Sequence, residues 1–277
     1  MNYRHVYHAG NFADVLKHVA LTLCLDYLLK KDGPLCIIDA HAGAGLYDLN
    51  SEEAARTGEW RKGIGLLLEA AAPPPDLEPY LGLVADDMRL GQYPGSPLLI
   101  SRMKRTKDRL IACELHEPTF KTLRTVLEPT ENKLVLWGNA YGCIRANLPP
   151  AERRGLVLID PPFEKKDEFD TLIRQMTQWK RRWATGVFLL WYPIKAHLQV
   201  DELKAAARAL GMPRTWFSEI LVSPREQPNT MNGCGIIVFN APYMAPERME
   251  QSLAFMKASM SLHDISAGWL IEDRIIF

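Results

Sequence analysis

Gly155-Leu-Val-Leu-Ile-Asp-Pro-Pro-Phe163 decides the fold. Leu156 to Ile159 is a short continuous apolar run, the pattern of a strand buried on both faces. It stops at Asp160 because the two prolines that follow bring no N–H to a sheet ladder. Asp160, Pro161, Pro162 and Phe163 therefore sit at the carboxyl end of a strand, where open α/β sheets bind ligands. Asp160 accepts a hydrogen bond or a proton, the Pro161 carbonyl is a second acceptor, and Phe163 offers a flat apolar face. Two acceptors beside a stacking face suit an exocyclic amine on a planar heterocycle, such as N6 of adenine. A turn that merely ends a strand is the competing reading of these four residues taken alone.

Upstream, Ala13 to Lys31 carries apolar residues at helical steps and ends at Lys31-Asp-Gly-Pro34. Leu35 to Asp39 reads as a buried strand running into Ala40-His-Ala-Gly-Ala-Gly45. A strand followed by a glycine loop is a nucleotide-binding arrangement, in which small residues let a ligand approach and the turn offers free N–H groups. Further strands are expected at Leu110–Leu115, Lys133–Trp137, Gly186–Trp191, Trp216–Val222 and Gly233–Asn240, with a last β-like piece at Asp273–Phe277. Helices are expected between them, which predicts a doubly wound α/β sheet. Glu114 ends the second strand, where an acid holds ribose hydroxyls, but stands about 70 residues past the glycine loop instead of about 20. A small helical insertion over 48–95, with no sheet in it, restores the spacing. Its two helices, 51–72 and 77–90, flank Pro73-Pro-Pro75. The domain divides as 1–47 (arm, helix and first strand), 48–95 (insertion) and 96–277 (the remainder).

The totals exclude several classes. The chain has 277 residues, 47% hydrophobic and 24% charged, which fits one globular domain with an insertion. Lys plus Arg and Asp plus Glu are 33 each, so a nucleic-acid partner must be argued from local patches. The five cysteines are scattered without a CxxC pair, which predicts neither zinc nor disulfides. With no apolar stretch of membrane length and no leader-like start, the expected location is the cytoplasm.

Other candidate residues stand outside the strands. The opening Met-Asn-Tyr-Arg-His-Val-Tyr-His carries aromatic, basic and imidazole groups that could meet phosphate and base, or could pack over the domain. Lys17 and His18 fall where the first helix could face a pocket. Arg56 to Lys62 reads as a helix face, solvated or touching substrate. Tyr93-Pro-Gly-Ser-Pro97 reads as a turn into a helix with Ser96 as N-cap. Arg102 to Arg109 holds five cations in eight residues, a helix that could face phosphate or simply solvent. Asn139, after the third strand, is placed to hydrogen-bond an adenine edge.

Taken together, Tyr3-Arg-His with His8-Ala-Gly-Asn11, Asp14-Val-Leu-Lys-His18, Asp39 to Gly45, Arg56-Thr-Gly-Glu59, Tyr93 to Pro97, Glu114-Leu-His116, Arg154 to Phe163 and Leu190-Trp-Tyr-Pro193 resemble the bacterial 23S ribosomal RNA adenine-N6 methyltransferases, within the class I S-adenosylmethionine-dependent methyltransferases. These pieces cover most of the chain. The resemblance implies a seven-stranded Rossmann-like sheet with its last strand antiparallel, and S-adenosylmethionine as cofactor. It implies a cofactor pocket of His18, His41, Gly43, Ser96, Glu114, Asn139, Ala140 and Asp160. Asp160, Pro161 and Phe163 would hold the reacting base. Tyr3, Arg4, His5 and Lys17 would meet the RNA. The expected partner is 23S ribosomal RNA, with no membrane, no metal and a monomeric enzyme. Two positions depart from the family pattern: Asn139-Ala140 replaces Asp-Gly, and Phe163 replaces Tyr. A DNA adenine or protein glutamine methyltransferase, or an RNA-binding module without chemistry, are the rival readings. A nicotinamide dehydrogenase shares the layout but not Asp-Pro-Pro-Phe.

Overall fold

The computed structural model describes residues 4–164, 167–196 and 200–272. A 3-10 turn at His5–Tyr7 leads to α1 (Phe12–Leu29), whose start is fixed by Asn11: its side-chain oxygen accepts from the N–H groups of Ala13 and Asp14 at 2.9 and 3.1 Å. Then come β1 (Cys36–Asp39), β2 (Leu46–Asp48), α2 (Glu52–Thr57), α3 (Ile64–Glu69), α4 (Glu78–Arg89), β3 (Gln92–Pro94) and α5 (Ser96–Met103). The chain continues through β4 (Arg109–Glu114), α6 (Glu117–Leu127), β5 (Lys133–Trp137), α7 (Ala140–Asn147), β6 (Gly155–Ile159) and α8 (Glu168–Arg182). It closes with β7 (Val187–Ile194), α9 (Val200–Ala209), β8 (Thr215–Leu221), β9 (Gly233–Phe239), α10 (Ala245–Ser259) and β10 (Asp264–Ile271).

The main sheet has eight strands in the order β10-β8-β9-β7-β6-β1-β4-β5, one more than the seven expected. β1 pairs parallel with β4 and β6, and β6 with β7; β9 runs antiparallel to both β7 and β8. The eighth strand, β10, pairs antiparallel with β8. Its sequence, with Ser266, Ala267 and Gly268, carries little β-preference, so only the partner strand reveals it. The expected terminal piece Asp273–Phe277 lies outside the described residues.

Side-chain alternation along the central strands builds two cores. Ile37, Leu110, Leu156, Leu158 and Leu189 pack on the face covered by α1 and α10. Ile38, Ile111, Val157, Ile159, Phe188 and Leu190 pack on the face of α8 and α9. Each strand is buried on both sides, which is why it reads as continuous apolar sequence. On α8, Phe169, Leu172, Met176 and Trp179 recur at helical spacing and Trp179 stacks on Phe188, centroids 5.7 Å apart.

Three boundaries differ from expectation. β7 runs through Tyr192-Pro193 to Ile194, because β6 pairs only as far as Leu190 and the proline faces no donor site on that side. The expected helix over 51–72 is broken into α2, a 3-10 turn at Glu59–Lys62, and α3. Gly63 sits at the break, where a Cβ would lie 2.2 Å from the Gly10 carbonyl, which accepts from the Ile64 N–H at 2.9 Å. The segment is also not free of sheet, since β2 and β3 pair antiparallel at its two ends.

Candidate active site

The carboxyl ends of β1, β4, β6 and β7 open into a cavity of about 1490 Å³. Arg4, His5, Lys17, His18, His41, Gly43, Ser96, Glu114, Asn139, Ala140, Asp160, Pro161 and Phe163 all line it. Tyr3 lies outside the described residues. Residues from sequence positions 4 to 163 thus converge: most lie at or just past the same end of the main sheet, Lys17 and His18 come from α1, Ser96 from the start of α5, and Arg4 and His5 from the N-terminal arm. The volume exceeds what one small ligand fills, leaving room for two.

One set of lining groups is charged. The Asp160 carboxylate accepts from the Lys17 ammonium at 2.6 Å, and Lys17 also pairs with Asp14 at 2.8 Å. Burial alone would depress the lysine, but the two carboxylates hold it well above its ordinary range. Asp14 is fully buried, yet His5 and Lys17 hold it well below its ordinary range. Its Oδ2 accepts from the Gly10 N–H at 2.9 Å and meets His5 Nε2 at 2.9 Å. Lys17, expected to meet substrate, is thus 4% exposed and engaged by two acids. The sequence signal for Asp14 is its place three residues before Lys17, on the same face of the first helix.

Phe163 follows with φ +49°, a left-handed conformation that a bulky residue adopts only when its surroundings impose it. Its ring packs 5.2 Å from Phe169 and 5.8 Å from Trp191. Trp191, quoted only within a motif, therefore belongs to the aromatic wall of the cavity.

The remaining lining groups are neutral or tied to backbone. Glu114 takes the Gly43 N–H on one oxygen at 3.0 Å and the His116 N–H on the other at 2.7 Å. The Ala44 N–H donates to the Tyr47 hydroxyl at 3.1 Å and Ala42 to the Cys113 carbonyl at 2.9 Å. The N–H groups of Ala42, Gly43 and Ala44, expected to be free, are thus taken, and a strand, not a helix, follows. A phosphate finds no cradle there. Gly43 is needed for the turn: φ is +63° and a Cβ would meet the Tyr47 hydroxyl at 2.2 Å. His41 Nδ1 accepts from the Asp160 N–H at 3.2 Å, and burial pushes its pKa down to about 4. Asp39 is buried and accepts from Ser96 Oγ at 2.6 Å; burial raises its carboxyl to about 7. Ser96 is the first residue of α5 and not its cap, a place taken by Gly95. Asn139 caps α7, its oxygen accepting from the Gly142 N–H at 3.1 Å.

Two basic stretches hold the fold together. α5 ends at Met103; Arg102 pairs with Asp87, Arg105 pairs with Asp108 and caps carbonyls of 29, 31 and 33, and Arg109 pairs with Glu152. The sequence leaves a phosphate surface open for this stretch, yet each of these three arginines has an acid to answer. In the 56–62 stretch, Thr57 donates to the Tyr7 carbonyl at 2.5 Å. Glu59 accepts from Asn11 at 2.8 Å and meets His8 at 3.1 Å. Together with the Arg4–Glu53 ion pair at 2.7 Å, these contacts lay the N-terminal arm across the cavity against the inserted segment. The five cysteines are all buried and free.

Residues 32–271 match the family described as Ribosomal RNA large subunit methyltransferase D, RlmJ. The chain belongs to the ribosomal RNA large subunit methyltransferase J family. A curated Escherichia coli K12 protein named Ribosomal RNA large subunit methyltransferase J is 36% identical over 279 residues, covering 99% of this chain and all of that one. Its Haemophilus influenzae namesake is 34% identical over 276 residues, 98% of each. A crystal structure of a Legionella pneumophila protein superposes with a TM-score of 0.84 at 30% identity, covering 95% of this chain and 97% of that one. No helix among the described residues is long and apolar enough to cross a membrane.

Proposed function

We propose that this protein transfers a methyl group from S-adenosylmethionine to N6 of one adenine in 23S ribosomal RNA. The observation that carries the reading is the Asp160 carboxylate, fixed by Lys17 at the head of Pro161-Pro162-Phe163 and open to a cavity with an aromatic wall. The remaining lining groups fit the cofactor. Glu114 is braced for hydroxyl groups, the buried His18 Nε2 has no partner among the described residues, and the glycine loop has no cradle for phosphate, which this cofactor lacks. When bound, S-adenosylmethionine supplies a methyl group activated on a sulfonium.

The remaining work falls to the chain. N6 of adenine is a weak nucleophile because its lone pair is delocalised into the ring. Asp160, with one oxygen already held by Lys17, has the other for an amine N–H, and the Pro161 carbonyl takes the second. Two acceptors favour a pyramidal nitrogen and hold it for in-line attack. Asp160 or water then takes the proton. Phe163 and Trp191 supply a face for a base that must leave its stack to reach the cavity. Arg4, His5, His8 and Asn11 of the N-terminal arm line the cavity beside these groups.

The test is tritiated methyl transfer to unmodified 23S ribosomal RNA, duplex DNA and a protein extract in parallel, followed by nucleoside analysis. Label recovered as N6-methyladenosine from RNA alone is expected. Label in DNA or protein overturns the substrate, and no label anywhere, with cofactor bound, leaves a binding module.

A further inference from the structure

His18 lines the cavity, and its ring nitrogen Nε2 is buried with no hydrogen-bond partner among the described residues. Its other nitrogen, Nδ1, lies 2.7 Å from the Tyr93 hydroxyl, which lies 2.9 Å from the Tyr80 hydroxyl. Tyr93 comes from β3 and Tyr80 from α4, both within the inserted segment, and both are fully buried. Among the described residues neither hydroxyl has another partner.

The direction of this relay follows from its far end. A buried O–H without an acceptor is costly. Tyr80 has one neighbour, the Tyr93 oxygen, so it donates there. Tyr93 then has its own hydrogen free for His18 Nδ1, and that nitrogen must accept. In a neutral imidazole the proton consequently sits on Nε2. Burial keeps the ring neutral, lowering its pKa to about 3. The reverse direction would strand the Tyr80 hydrogen and make Nε2 an acceptor.

We infer that the Tyr80–Tyr93 relay fixes His18 as an Nε2–H donor toward the carboxylate of the cofactor's amino-acid portion. This rests on the proposed cofactor. Tyr93 and Tyr80 act here as positioning residues, and the inserted segment gains a role in cofactor binding without touching the cofactor. The relay also makes an asymmetric prediction. Removing the Tyr80 hydroxyl leaves Tyr93 with Nδ1 as its only acceptor, so the tautomer survives. Removing the Tyr93 hydroxyl leaves Nδ1 unpaired and the tautomer unfixed.

The experiment uses the full chain with two probes, S-adenosylhomocysteine, which bears the carboxylate, and 5′-methylthioadenosine, which does not. By calorimetry, Tyr93→Phe is expected to weaken S-adenosylhomocysteine about tenfold and 5′-methylthioadenosine by less than about twofold. Tyr80→Phe is expected to leave both within about twofold. In long-range proton–nitrogen spectra, His18, assigned by its loss in His18→Asn, should show the Nε2–H form in the wild type and Tyr80→Phe, and a mixture in Tyr93→Phe. An Nδ1–H signal in the wild type overturns the inference, whatever the variants' stability. So does equal weakening of both probes by Tyr93→Phe. Wild type that binds neither probe removes the cofactor reading and this inference with it; binding of both with the wrong tautomer removes the inference alone.

Discussion

Two neighbouring sets of buried ionisable groups in one cavity behave in opposite ways. In one set Lys17 bridges Asp14 and Asp160, and the lysine and Asp14 keep their charges despite full burial. In the other, His18, His41 and Asp39 have no opposite charge in hydrogen-bond contact among the described residues, and burial drives each toward its neutral form, with pKa values near 3, 4 and 7. Desolvation acts on Asp14 and Lys17 as it does on the three neutral groups; the presence of a partner within hydrogen-bond reach decides which side wins. The difference matches the two proposed tasks. An amine losing a proton needs a charged acceptor, whereas a nucleoside with hydroxyl and carboxylate groups is held by oriented dipoles and one braced acid.

The sharpest way to break the charged set is Lys17→Met, which leaves the fully buried Asp14 without its lysine and Asp160 without its partner. Loss of about 3–5 kcal/mol of folding stability is expected, since breaking a buried pair abandons an uncompensated charge. Denaturant unfolding measures it. A loss below about 1 kcal/mol would mean that the pair is solvated and the contrast between the sets is overstated.

Asp39→Asn sharpens the neutral set. The folded-state pKa of Asp39 is raised to about 7 from an ordinary 3.8. Between those values the folded state binds a proton that the unfolded state has released, so this group's contribution falls as pH rises through that window, by at most about 1.4 kcal/mol per pH unit. Asn keeps an acceptor for Ser96 and carries no charge. Its melting temperature should therefore gain on the wild type from pH 5 to pH 8, with the gap levelling off above. A constant gap across that range would place a charged Asp39 in the fold.

Phe163→Ala removes the stacking face. Its KM for RNA should rise about tenfold, in line with about 1–3 kcal/mol per stacked base, with little change in cofactor binding. The smallest effect concerns Arg102, outside the cavity and half in solvent. Arg102→Met should leave the salt dependence of RNA binding unchanged, because the cation answers Asp87 and not phosphate. A shallower salt slope would restore the phosphate reading of the 102–109 stretch.

Much of this is legible in the sequence because it depends on local pattern. The strand ending in Asp160, the glycine loop after β1 and Glu114 at the end of β4 follow from apolar runs and their stops. The residues that line the cavity are found by motif. What the sequence hides depends on partners far apart in the chain. β10 exists through its pairing with β8, and β2 and β3 are three residues each. The acids that answer Arg102 and Arg109 are 15 and 43 residues away, so a run of cations looks like a surface for phosphate. The glycine loop reads as a source of free N–H groups because Glu114 and Tyr47, which occupy two of them, cannot be placed from spacing alone.

The division of the cavity is tested most directly by Asp160→Asn, with S-adenosylhomocysteine binding and methyl transfer measured on the same preparation. The account predicts that binding stays within about threefold of the wild type, since the substitution leaves the backbone N–H of position 160 on His41, while transfer falls by about a thousandfold or more. Turnover near the wild-type rate would contradict it, as would a loss of binding that matches the loss of turnover.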